Sequence, residues 1–210
     1  MFIRNCISDI RDLVTLKNTD SIGNALKIME DNNLKSVPVI DENGRFEGIL
    51  SKEGLFELFE RGFNGTYEDL RKEVITEAIS RIQPLSLDSK FEETLPIIVR
   101  YPFVPIIDEK QILLGIVKRK EITGALESSF GVGVSGIRIL IGTAEMEGRL
   151  EKILEITHGL HLNVVTAIAF DAQDKFNRRV LLKIEHTEDK GELVERLVKN
   201  GFKILTIHED

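Results

Sequence analysis

Residues 36–49 read SVPVIDENGRFEGI, and residues 103–116 read FVPIIDEKQILLGI. Pro38 plus 67 is Pro105, and Gly48 plus 67 is Gly115. From Val37 to Ile49, seven of thirteen positions are identical at that offset, against about one by chance, so the chain contains an internal duplication. The openings of the two copies match at a slightly different offset: IRNCIS from Ile3 pairs with ITEAIS from Ile75. A shorter middle in the second copy accounts for the difference.

Each copy decodes in the same order. A short strand comes first, LVTL or PLSL, and a helix follows. Ile22, Ala25, Leu26 and Met29 fall on one helical face, with Thr19 or Asp20 as the expected N-cap. The second copy places Phe91, Thr94, Leu95 and Ile98 in the same way, and Pro102 ends that helix. Next come the apolar strands SVPVI and FVPII. Their proline removes a ladder donor and so marks a strand start or sheet edge. Polar turns follow, Asn43-Gly44 being a strong hairpin signal. Return strands FEGIL and LLGIV then lead into a second helix. One such unit has too small a core to stand comfortably alone. Two copies packed through their sheets form a pseudo-symmetric pair with two clefts.

The phrases SVPVID…GILSKEGL and FVPIID…GIVKRKEI resemble the tandem CBS-domain pair, or Bateman module, over roughly residues 1–128. Beyond Phe130 the pattern changes. IRILIG reads as a strand and EGRLEKILEITHG as a helix, with Leu150, Ile153, Leu154 and Thr157 inward and Gly159 as its stop. LNVVTAIAF and RRVLLKIEH are strands around the turn DAQDKFN. A helix with Leu193, Val194, Leu197 and Val198 inward follows, closed by Asn200-Gly201, and FKILTIHE is the last strand. The order βαββαβ is ferredoxin-like. It resembles an ACT domain, with Glu147-Gly148-Arg149-Leu150 standing where that family usually has a Pro-Gly-x-Leu turn. The expected class is therefore α+β: a tandem CBS pair of βαββα repeats, then a ferredoxin-like ACT domain. The expected bounds are 1–66 and 67–130 for the CBS copies, 131–136 for a linker and 137–210 for the ACT domain.

Composition narrows the function. Of 210 residues, 42% are hydrophobic, enough for ordinary cores. Lys and Arg total 28 against 35 Asp and Glu, a net charge of −7 that argues against coating DNA or RNA. No apolar run is long enough for a membrane span, and MFIRNCISDI lacks the apolar core of a signal peptide, so a cytoplasmic protein is expected. The single cysteine, Cys6, reads as a buried apolar residue without disulfide or metal spacing. GVGVSG fits G-x-G-x-x-G at Gly131, Gly133 and Gly136, but a helix precedes it and a strand follows. That is the reverse of a dinucleotide fingerprint, so it reads as a flexible linker. His158 and His161 flank the helix stop at Gly159 and read as loop residues. No nucleophile elbow, H-E-x-x-H or Walker A loop is present. We assign no catalytic residue, no metal ligand and no cofactor, and expect a protein that is not an enzyme.

The strand-to-helix junctions carry the remaining signal. A helix start presents unpaired N–H groups to an anion. In the CBS family this junction commonly carries a hydroxyl and, three residues on, an Asp for the ribose. Copy one has Ser51 and Gly54 there; copy two has Lys118 and Glu121. Ser51 can equally be only an N-cap. Lys118-Arg119-Lys120 put three cations at a helix start, where the dipole disfavours them unless an anion offsets the charge. The resemblance implies that Arg119 and Lys120 hold phosphates, as a basic pair does in CBS proteins that bind cyclic di-AMP. It places Val14 and Lys35 beside them, with Ile116 and Val37 against the base. The implied function is regulatory: the CBS pair senses an adenine nucleotide, foremost cyclic di-AMP, and the ACT domain dimerises the chain or transmits the signal to an unidentified regulated protein. The alternatives are an AMP- or ATP-sensing accessory protein of the acetoin-utilisation type, and a scaffold with vestigial clefts. A homodimer is expected, with LLKIEH and FKILTI as strands that could meet a second chain.

Overall fold

The computed structural model describes residues 3–61, 63–174 and 177–209. The chain divides into two compact units, Met1–Thr123 and Gly124–Asp210.

The first unit opens with β1 (Ile7–Asp9). Copy one follows as β2 (Leu16–Lys17), α1 (Ile22–Asp31), β3 (Ser36–Ile40), β4 (Phe46–Ser51) and α2 (Lys52–Glu60). After the short α3 (Tyr67–Leu70), copy two repeats the order: β5 (Leu85–Ser86), α4 (Leu95–Arg100), β6 (Phe103–Ile107), β7 (Leu113–Lys118) and α5 (Arg119–Ser129). One sheet runs β2-β3-β4 and the other β1-β7-β6-β5. In each copy the proline strand pairs parallel with the short first strand and antiparallel with the return strand.

The openings of the two copies are exchanged. β1 belongs to copy one in sequence, yet it pairs with β7 of copy two, Ile7 opposite Val117 and Asp9 opposite Gly115. In return, Ser80 at the opening of copy two trades both backbone bonds with Ile49 of copy one, at 3.0 and 2.9 Å. Each crossing runs directly over a glycine. A Cβ on Gly115 would lie 2.2 Å from the Ser8 carbonyl oxygen, and one on Gly48 would lie 2.6 Å from that of Ser80. This is why the repeat keeps glycine at both positions.

The duplicated phrase also supplies the shared core. Ile40 and Ile107 cluster with Leu113, while Ile49 and Ile116 cluster with Phe103. Ile40 and Ile107 are equivalent at the offset of 67, as are Ile49 and Ile116. The hairpins also bond to each other: the Phe46 N–H donates to the Gln111 carbonyl and that of Leu113 to the Gly44 carbonyl, both at 3.0 Å.

The second unit is β8 (Ile137–Ala144), α6 (Arg149–His158), β9 (Val164–Asp174), β10 (Asn177–Ile184), α7 (Lys190–Lys199) and β11 (Lys203–Glu209). Its antiparallel order β11-β8-β10-β9 is the ferredoxin-like arrangement. Alternation does the sorting: Ile137, Ile139 and Ile141 of β8, with Val180, Leu182 and Ile184 of β10, face Ile153, Leu193 and Leu197 of the helices. Arg149 locks the helix pair together. Its guanidinium stacks 3.8 Å from the Phe202 ring centroid and donates to Thr143 Oγ1 and the Asn200 and Gly201 carbonyls.

Several local expectations need correction. Ser21, not Thr19 or Asp20, caps α1 by accepting the Asn24 N–H, because Asp20 spends its carboxylate on the Lys17 N–H and the Asn24 amide. Leu154 and Val198 point outward, and Ile156 packs in place of Leu154. Cys6 is half-buried beside the core of copy two. LLKIEH lies mostly in β10, which already has a strand on each side and cannot pair with another chain; FKILTI lies in the edge strand β11. The turn expected over DAQDKFN includes residues 175 and 176, outside the described residues. The glycine-rich segment is held at both ends rather than loose. Gly131 is buried against Val165 and Lys183, and a Cβ on Gly136 would meet the Ile184 carbonyl oxygen at 2.3 Å. Among the described residues, no helix is long and apolar enough to cross a membrane.

Candidate functional site

A cavity of about 460 Å³ opens where copy one meets the strand-to-helix junction of copy two. Three pieces of chain build it. The first is the segment before β2, giving Asp12, Leu13 and Val14. Asp9 shapes this segment: its carboxylate accepts the Arg11 N–H and guanidinium at 2.9 Å. The Arg11 side-chain hydrogen bond, with the backbone bond behind it, holds the Asp9 carboxyl down at about 2. The second piece is the end of α1 and start of β3, giving Asn32, Leu34, Lys35, Ser36 and Pro38. The third is the end of β7 and start of α5, giving Ile116, Lys118, Arg119 and Lys120 over Phe103.

The cavity is apolar inside and cationic at its mouth. Ile116 and Phe103 are almost fully buried and pack with Leu13. Lys35, Arg119 and Lys120 are exposed, Lys118 is half-buried, and Asp12 is the carboxylate among these lining residues. Four cations against one anion make an electropositive rim on a chain whose net charge is −7.

The two junctions share one backbone design and differ in chemistry. The Lys52 N–H donates to the Lys35 carbonyl at 3.1 Å, and the Arg119 N–H donates to the Pro102 carbonyl at 2.9 Å. Lys52 and Arg119 are related by the offset of 67, as are Lys35 and Pro102. In copy one, Ser51 Oγ then accepts the Gly54 N–H at 3.0 Å and closes the helix start. Copy two has Lys118 at that position, and an ammonium has no acceptor to offer a backbone N–H. The start of α5 is thus left without the cap that α2 has. Arg119 is held in place by donating from Nη2 to the Tyr101 carbonyl at 2.9 Å.

Of the residues singled out from sequence, Val14, Lys35, Ile116, Lys118, Arg119 and Lys120 line this one cavity. Three do not. Val37 is wholly buried in the core of copy one. Ser51 serves as the N-cap of α2. Glu121 sits 3.5 Å from the Lys120 ammonium and is outside the lining. Strand alternation separates Val37 from Ser36 and Pro38, whose side of β3 meets the cavity. Asp12 and Asn32 were missed, although each lies within three residues of one that was named. As an N-cap, Ser51 supports α2 and not the cavity. Ser51→Ala should therefore cost about 1 kcal/mol in urea unfolding while leaving any ligand affinity at the cavity unchanged.

In the second unit, a cavity of about 500 Å³ adjoins the turn at Gly148, whose φ is +77°. Arg149 borders it but is committed to the contacts described above. Among the described residues no group of His, Cys, Asp and Glu could hold a metal ion. His186, left without a role from sequence, bridges Ser135 Oγ at 2.9 Å and Glu209 at 3.3 Å, and so fastens the glycine-rich segment to the last strand.

Comparison with known proteins agrees with this geometry. Residues 7–61 match the model of the CBS domain. Inosine-5'-monophosphate dehydrogenase of Methanocaldococcus jannaschii is 23% identical over 94% of this chain, which spans 41% of that relative's length. CbpB of Listeria monocytogenes, solved in complex with c-di-AMP, superposes with a TM-score of 0.53 at 16% identity, over 60% of this chain and 94% of its own. CBSX2 in complex with AMP superposes at 0.51 with 19% identity, over 60% and 95%. These likenesses show the fold, a tandem CBS pair.

Proposed function

We propose that this chain is a regulatory nucleotide-binding protein whose CBS pair, residues 1–66 and 67–130, takes an adenine nucleotide, foremost c-di-AMP, in the cavity at the start of α5. The observation that carries the reading is the convergence of Lys35, Lys118, Arg119 and Lys120 on the mouth of one apolar cavity. An apolar floor suits a base, and a cationic rim beside a helix start where Lys118 replaces the capping hydroxyl suits phosphate. That CbpB binds c-di-AMP and CBSX2 binds AMP on the same fold supports the ligand class. The ferredoxin-like unit, read as an ACT domain, serves dimerisation or signal transmission, and the protein carries no catalytic role. The exposed edge strand β11, with Leu205 and Ile207 outward, supports a homodimer.

The test is calorimetric titration of the full chain with c-di-AMP, AMP and ATP. We expect saturable binding of c-di-AMP that weakens as salt rises, because the rim is solvent-exposed and screened. Tighter binding of AMP or ATP would move the assignment to an energy-charge sensor. Binding of none would leave a scaffold. Light scattering should return twice the chain mass at micromolar concentration; the mass of one chain would remove the dimer.

A further inference from the structure

The two hairpin turns of the duplication present the same backbone carbonyl, and the copies use it differently. Lys17 stands opposite Ile40 in one sheet and Ser86 opposite Ile107 in the other. Ile40 and Ile107 are related by the offset of 67, so Lys17 and Ser86 hold one place in the repeat. In copy one the Asp41 carbonyl accepts the Gly44 N–H at 3.1 Å and also the Lys17 ammonium at 3.3 Å. In copy two the Asp108 carbonyl accepts the Gln111 N–H, again at 3.1 Å, but no second donor among the described residues. Ser86 lacks the reach of a lysine and bonds instead to the Asp88 N–H and to Ser89 Oγ. A cavity of about 630 Å³ lies there, lined by both Ser86 and Asp108. Leu85, Ile107 and Leu114 give it an apolar wall. Its carboxylates, Asp88, Glu93, Asp108 and Glu109, outnumber its cations, Arg4 and Lys110, and Arg4 is already paired with Asp88. The balance is the reverse of that at the start of α5.

We propose that this cavity binds a small aliphatic amine, whose ammonium takes in copy two the place that Lys17 fills in copy one. Lys17 serves as the template for the ligand: a primary ammonium on a stem of about four carbons. An ammonium brings three donors and no acceptor. The open lone pair of the Asp108 carbonyl takes one donor in a charge-assisted bond, and the surplus carboxylates favour the charge. The stem lies along Leu85, Ile107 and Leu114, as lysine stems lie on apolar surface. Carboxylates alone would draw any cation. The carbonyl and the apolar wall together select an alkylammonium over an inorganic ion, and the charge selects it over an alcohol of the same length. None of this depends on what the cavity at the start of α5 binds.

The test is a proton–nitrogen correlation NMR titration of the full chain at constant ionic strength. The probes are n-butylamine hydrochloride, which copies the lysine side chain, n-butanol and ammonium chloride. Butylammonium should give saturable shifts at residues 85–89 and 107–111, and the other two probes none. Equal shifts from butanol or ammonium, shifts spread over the acidic surface without saturation, or no shifts at all overturn the proposal. Ser86→Lys restores the arrangement of copy one and should fill the cavity from within, weakening butylammonium binding by about tenfold or more. Unchanged affinity in that variant also overturns it. If Ser86→Lys does not melt cooperatively, Glu109→Gln decides. It removes an exposed lining carboxylate and should weaken the amine by about threefold at low salt, and an affinity equal to wild type there sinks the site.

Discussion

Arg119→Ala is expected to weaken binding of c-di-AMP by about tenfold to a hundredfold, the loss of one charge-assisted contact worth roughly 1.5–3 kcal/mol. The nucleotide-free protein should barely notice. It loses the bond from Nη2 to the Tyr101 carbonyl, but it also loses a cation at a helix N-terminus. Each effect amounts to some tenths of a kcal/mol at an exposed site, and their signs oppose. Arg119→Lys keeps the charge and loses the planar fork, so it should fall between the two proteins. Titrations at two salt concentrations, with melts of the empty proteins, read all of this. Unchanged affinity in Arg119→Ala would take the residue out of the site. A markedly lower melting temperature with unchanged affinity would make it a structural arginine.

Gly115→Ala should destabilise the first unit by about 3 kcal/mol, at the upper end for overpacking. The new methyl would sit 2.2 Å from the Ser8 carbonyl oxygen and 2.9 Å from Ile7 Cγ1, so β1 must leave β7 or the sheet must bend. Gly48→Ala should act alike, meeting Ile79 Cγ2 at 2.4 Å as well as Ser80, with an unfavourable φ of +153° besides. Gly124→Ala is the control. Nothing lies within 4 Å of its Cβ and it stands in the interior of α5, so it should stabilise by about 0.5–1 kcal/mol. Urea unfolding of the three variants checks the set. A Gly115→Ala protein as stable as wild type would mean that β1 does not lie against β7.

The duplication was legible because the residues that match at the offset of 67 are those the two copies press together, notably Ile40 with Ile107 and Ile49 with Ile116. The hairpin at Asn43-Gly44 was equally plain, since Gly44 takes the φ of +82° that the pair advertises. The exchange of openings was not legible. β1 is three residues long, and Ile-Ser-Asp carries no period that could say which sheet it joins. Caps were ambiguous because Thr19, Asp20 and Ser21 all offer an oxygen, and only the bonds to Lys17 and Asn24 sort them. Leu154 and Val198 fit a helical stripe, but a helix on one sheet buries a narrower arc than its apolar residues span. The cavity was half legible. Lys118-Arg119-Lys120 stood out by charge, whereas bringing them to Lys35 and Asp12 takes contacts more than eighty residues apart in sequence.

The exchanged openings also order events in time. Residues 7–9 leave the ribosome long before residues 115–117, which are their hydrogen-bonding partners. Synthesis at roughly 5–20 residues per second keeps that strand waiting on the order of ten seconds, with Ile7 uncovered. Copy one can gather its own helices meanwhile, but its sheet stays open beside Ile49 until Ser80 arrives. The halves of the duplication are thus not two modules made in succession. Neither is finished until the other has been translated, and the contacts that close the pair are among the most distant in the chain, the kind that slow folding most.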